Sequence, residues 1–211
     1  MSLNNINTIY YREYMSFDII DQFEKTIAEY YNAPYAVAVD CCTHAVELCL
    51  RHNTPNNAVS VPNHTYISIP FTLEKLGLSW SFDNRKWKQF YTIIGTNIID
   101  AAVYFKENSY VSGSMMCLSF QYRKPLNLGR GGAILCDNKE DYIALKKLSY
   151  DGRYGNIPWA EQHIDTMGYH YYMTPETAKM GLDKLPDVAA KTWRDWSWED
   201  YPNLENFEVF K

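Results

Sequence analysis

Three short stretches of this chain carry side chains whose types and positions could do chemistry together. Asp40-Cys41-Cys42-Thr43-His44-Ala45 joins an apolar run to a helical pattern. At such a turn the first helical N–H groups and the positive end of the helix dipole meet the Thr43 hydroxyl, an arrangement suited to phosphate. Asp100 closes a second apolar run, so its carboxylate is expected at the C-terminal edge of a sheet, where α/β proteins bind ligands. Ser119-Phe120-Gln121-Tyr122-Arg123-Lys124 leaves a third run and ends in a lysine just before Gly129-Arg130-Gly131-Gly132. A phosphate cradle, a strand-end carboxylate and a strand-end lysine form the set that pyridoxal phosphate needs. Singly, each has a plainer reading: Thr43 as a helix cap, Asp100 as a polar strand end, Lys124 as a surface loop lysine. Their order and spacing in one chain favour the combined reading.

Other spacings lead nowhere comparable. Cys41-Cys42-Thr43-His44 resembles a metal-binding run, but structural zinc takes four ligands and no second cluster accompanies it. A buried thiol pair at a strand-to-helix turn is the better expectation. Gly129–Gly132 is not the dinucleotide fingerprint and reads as a tight turn before a strand. The five histidines lack metalloprotease spacing. The five cysteines are an odd count without framework spacing, which predicts free thiols in a reducing, cytoplasmic setting. A formal charge of −5 argues against nucleic acid or an acidic membrane as partner, since no basic surplus exists to neutralise phosphates. Residues 1–14 are polar and aromatic, unlike a signal peptide, and the apolar runs are too short to span a bilayer.

The elements that must position these groups follow from periodicity. Ser16 stands where a helix cap belongs, and Phe17, Ile20, Phe23, Ile27 and Tyr30 predict a helix over 17–31. Residues 36–39 read as a strand, 43–52 as a helix, 58–62 as a strand, and 66–76 as a helix ended by Gly77. A strand at 78–82 precedes a strand, bend and strand over 91–100, broken at Gly95. Residues 115–120 and 133–136 are further strands, and 140–149 a helix. Thr174-Pro175 opens a helix expected to stop at Pro186. Short apolar strands alternating with helices predict an α/β fold with a mostly parallel sheet covered on both faces. The expected domain spans 1–185. Residues 186–211, rich in Trp, Tyr and Phe, are expected to pack onto it as a tail rather than stand exposed as an interaction segment.

In this order the motifs resemble the large domain of the DegT/StrS-type nucleotide-sugar aminotransferases, fold-type-I pyridoxal-phosphate enzymes. Cys42-Thr43-His44-Ala45-Val46 stands at the family's Gly-Thr-x-Ala-Leu. Pro62-Asn63-His64-Thr65-Tyr66 stands at Pro-x-x-Thr-aromatic, and Ile99-Asp100-Ala101-Ala102-Val103 at Glu-Asp-Ala-Ala-Gln. Ser119–Lys124 with Gly129–Gly132 matches Ser-Phe-x-x-x-Lys…Gly-Glu-Gly-Gly. Asp151-Gly152 stands at His-Gly, and Gly168–Met173 at Gly-Tyr-Asn-Tyr-Arg-Met.

The resemblance implies roles. Lys124 holds pyridoxal phosphate covalently and moves the proton, Asp100 pairs with the pyridinium nitrogen, and Tyr66 stacks on the ring. Cys42, Thr43, His44 and Ser119 surround the phosphate, and His170 reaches the phosphate of a second subunit in a homodimer. The implied reaction moves an amino group from an amino acid, glutamate first, to a keto-sugar nucleotide. Val103 replaces a glutamine expected near the phenolic oxygen, and Tyr172 an arginine expected at the donor carboxylate. The chain is also shorter than the family between Pro62 and Asp100, and the family's small C-terminal domain is absent. Alternatives are therefore a weak or inactive homologue that binds or assembles, or half of a split enzyme.

Overall fold

The computed structural model describes residues 17–211; the expected cap Ser16 lies outside the described residues. Helix α1 (Asp18–Tyr31) ends where Asn32 turns left-handed, and strand β1 (Tyr35–Val39) follows. Helix α2 spans Cys42–His52, β2 Val59–Pro62, α3 Ser68–Lys75 and β3 Trp80–Asp83. The expected strand, bend and strand are β4 (Tyr91–Thr92) and β5 (Ile98–Asp100), with Gly95 at a positive φ of 88° between them. Strands β6 (Met115–Ser119) and β7 (Gly132–Cys136) precede α4 (Lys139–Ser149), capped by the Asn138 side chain. Helix α5 (Pro175–Ala189) is capped by Thr174.

The five-stranded sheet runs β1-β7-β6-β5-β4, and β2 pairs with β3 beside it. The expected α/β architecture is present, but the sheet is mixed rather than mostly parallel. Only β5–β6 is parallel in the larger sheet, while β1–β7, β6–β7 and β4–β5 are antiparallel. The cause is local: β4 and β5 are joined by a tight turn, and β7 returns from β6 with no crossover helix. Both faces are covered, which is why the strands read as unbroken apolar runs. Val37, Cys117 and Ile134 face α2, while Ala38, Met116, Leu118 and Leu135 face α1 and α5.

Helix α5 does not stop at Pro186; it runs through it to Ala189. A proline forfeits one helical N–H bond, about 3 kcal/mol in a helix interior. Burial of Leu185 just before it and of Val188 just after it opposes that loss. Beyond it the chain makes three 3₁₀ turns, Trp198–Asp200, Leu204–Asn206 and Glu208–Phe210. Trp196, Trp198 and Tyr201 pack against the core, and the Phe210 ring stacks on Phe71. Among the described residues no helix is long and apolar enough to cross a membrane.

Candidate active site

The C-terminal ends of β5 and β6, the start of α2 and the loop after β2 open on one cavity of about 400 Å³. That lies within the range of about 300–1,000 Å³ usual for small-molecule sites. Of the eight residues singled out in the sequence, Cys42, Thr43, His44, Tyr66, Asp100, Ser119 and Lys124 line it. His170 does not: it lies outside, its Nδ1 2.8 Å from an Asp151 carboxylate oxygen and its side chain 67% exposed.

Asp100 is 6% exposed. The β4–β5 hairpin sets Tyr91 directly opposite it, and the Tyr91 hydroxyl donates to Asp100 Oδ2 at 2.8 Å. Thr65 Oγ1 lies 2.6 Å from that hydroxyl, and with the Tyr91 proton committed to Asp100 it is the donor. The Ala102 N–H holds Oδ1 at 3.0 Å. Burial pushes the Asp100 carboxyl up, against these donors and the Lys124 charge, which pull it down. Each carboxylate oxygen keeps a lone pair for one more donor, so a protonated ring nitrogen fits here.

Lys124 is partly buried. Burial lowers its proton affinity, while Asp100 and Cys42 oppose that shift. Its Nζ stands 5.5 Å from the centre of the Trp196 ring, which the Arg194 guanidinium also contacts at 3.7 Å.

The start of α2 has the character of an anion cradle. Its N-cap, Cys41, offers no side-chain acceptor. The amides of Cys42, Thr43 and His44 have no acceptor among the described residues. Such orphan donors at a helix start attract phosphate. The Thr43 and Ser68 hydroxyls stand 2.8 Å apart beside them, and Ser119 Oγ accepts a long bond from the Gln121 N–H at 3.4 Å. Gly132 makes the approach of β7 possible, since a Cβ there would lie 2.6 Å from the Cys41 carbonyl carbon and 2.7 Å from the Cys42 nitrogen. The glycine run is thus a close passage beneath α2 as well as a turn. Burial keeps the Cys42 thiol protonated.

His44 stacks on Tyr171 at 3.6 Å, and its Nδ1 lies 2.6 Å from Asp40 Oδ1. Arg130 donates to the other Asp40 oxygen at 2.8 Å. Burial disfavours the imidazolium, but hydrogen bonds to Asp40 and Cys41 outweigh it and raise the His44 pKa to about 9. A raised folded-state pKa makes the contribution full below the unfolded value of about 6.5 and lost as pH rises through about 9. The stability margin of the wild type over His44→Gln is therefore expected to shrink across that window in thermal melts. A margin flat with pH refutes the assignment.

The two departures from the family pattern are placed differently. Val103, 5% exposed, lines the cavity with an apolar surface. Tyr172 lines a different cavity, its ring 5.6 Å from Phe17 and 4.7 Å from Tyr150. The Tyr66 ring is 56% exposed and open to the first cavity. Sequence reasoning missed Thr65, Trp87, Tyr91, Gln121 and Tyr201, which also line it. Tyr91 had a signal, because a hairpin turning near Gly95 brings it opposite Asp100. Tyr201 had none.

No protein of curated function matches the chain. Among solved structures, AtS13 from Actinomadura melliaura superposes with a TM-score of 0.72 at 17% identity, covering 88% of this chain and 64% of its own. The Helicobacter pylori PseC, an aminotransferase involved in the biosynthesis of pseudoaminic acid, gives 0.65 at 15%, covering 81% and 58%. The PLP-form of Spr1654 from Streptococcus pneumoniae gives 0.65 at 18%, covering 81% and 59%. These identities establish the fold alone, and the chain spans about three fifths of each structure's length. A family profile matches residues 8–84 and 101–198, leaving out β4, the Gly95 bend and β5 with Asp100. With most of its length so matched, the chain belongs to the DegT/DnrJ/EryC1/StrS aminotransferase family.

Proposed function

We propose that the chain binds pyridoxal phosphate through Lys124 and serves the transfer of an amino group from an amino acid, glutamate first, to a keto-sugar nucleotide. One observation carries the reading: the buried Asp100 and the desolvated Lys124 share a cavity with the α2 amides that have no acceptor among the described residues. The chemistry that a bound pyridoxal phosphate supplies is an electron sink for the amino-acid Cα. Asp100 holds a proton on the ring nitrogen through its negative charge. The Cys42–His44 amides and the Thr43 and Ser119 hydroxyls hold the phosphate, the His44 imidazolium adds positive charge, and Tyr66 covers the ring. Lys124, with its lowered proton affinity, attaches the cofactor and takes up or returns the Cα proton. Titration with pyridoxal phosphate is expected to give a saturable visible absorption band, and its absence removes the reading.

A second reading, a homologue that keeps the cofactor but transaminates weakly, is favoured by the placement of Val103 and Tyr172. Half of a split enzyme is a further form of it. We also place the protein in the cytoplasm as a homodimer in which the exposed His170 reaches the partner's phosphate. Light scattering at micromolar concentration with cofactor present is expected to give twice the chain mass; a monomer refutes the shared pocket.

A further inference from the structure

The segment after α5 supplies a wall of the cavity. Trp198 N donates to Trp87 O at 3.1 Å, Gln89 N to Trp196 O at 2.8 Å and Leu204 N to Asn63 O at 2.9 Å, so the segment is tied to the body on both sides of Tyr201. The Tyr201 carbonyl accepts from His64 Nδ1 at 2.7 Å, and its ring packs 5.5 Å from Trp87. Backbone and ring are thus fixed. The hydroxyl is different: it has no hydrogen-bond partner among the described residues, although Tyr201 lines the cavity. The hydroxyl of Tyr91 in the same cavity is fully committed to Asp100 and Thr65. Burial and the nearby Asp100 charge both raise the Tyr201 pKa, so the phenol is a neutral donor at physiological pH. Among the described residues nothing takes up this hydroxyl, which keeps its donor and acceptor for a molecule in the cavity. Tyr201 also lies beyond residue 198, where the family match ends.

We propose that Tyr201 is a ligand-contacting residue of this cavity, its hydroxyl bonding the cofactor seated between Asp100 and Lys124. This rests on the pyridoxal phosphate reading. The experiment compares wild type with Tyr201→Phe, which keeps the ring on Trp87 and removes only the hydroxyl. Titration with pyridoxal phosphate is expected to show binding about three- to tenfold weaker in Tyr201→Phe, the range of one hydrogen bond. The melting temperature without cofactor is expected to be unchanged, whereas a purely structural role would lower it and leave the affinity alone. Equal affinities overturn the inference while the cofactor reading stands. A wild type with no cofactor band removes both.

Discussion

Borohydride treatment of the protein loaded with pyridoxal phosphate is expected to leave the cofactor's mass on the peptide containing Lys124, and Lys124→Ala is expected to abolish that label. The expectation follows from position and environment together. Lys124 is partly buried against Trp196, and its amine is desolvated enough to lose proton affinity. A neutral amine is the form that attacks a carbonyl, so desolvation raises the reactive fraction relative to a surface lysine. The substitution leaves the backbone bond from Lys124 N to Gln121 O in place and removes one positive charge near the buried Asp100. A folded Lys124→Ala protein carrying the same label on the same peptide sinks the assignment.

With the cofactor bound, conversion by glutamate is expected to be slow or absent. Two losses motivate this. Tyr172 stands where an arginine fork is expected, and it faces Phe17 and Tyr150 rather than the cavity. Hydrogen bonds to a charged group contribute about 1.5–3 kcal/mol each, so donor affinity falls about ten- to a hundredfold or more without that fork. Val103 presents an apolar wall where a hydrogen-bond donor is expected beside the phenolic oxygen. One compensation is present: Arg130 lines the cavity, although its guanidinium already binds Asp40. Arg123 lies over the Tyr122 ring and does not line it. Stopped-flow absorbance after glutamate addition decides the matter. Rapid, saturable loss of the cofactor band restores the full aminotransferase reading; no change with any amino acid favours the binding-only homologue.

Much of the arrangement was legible because it rests on local rules. The apolar run ending at Val39 followed by Thr43–His52 spacing predicts a strand and a helix, and these put the α2 amides at the sheet edge. Asp100 and Ser119 were legible as strand ends in the same way, whereas Lys124 lies beyond the strand, in the turn after β6. Direction was not: a fully buried strand reads the same whether its neighbours are parallel or antiparallel, so the mixed sheet escaped prediction. At Pro186 a strong local rule was overridden by the burial of Val188. Tyr201 escaped for a third reason. Its place depends on pairing with His64, 137 residues earlier, and on irregular turns that have no periodicity.

That last wall has an evolutionary consequence. Asp100 and the α2 amides are fixed by a packed sheet and helix, where altering one residue disturbs many neighbours. Trp196 and Tyr201 ride instead on irregular chain held by a few backbone bonds, the kind of segment that tolerates variation. A few substitutions after α5 would therefore change the cavity wall beside Lys124 and Asp100 without rebuilding the strands beneath it.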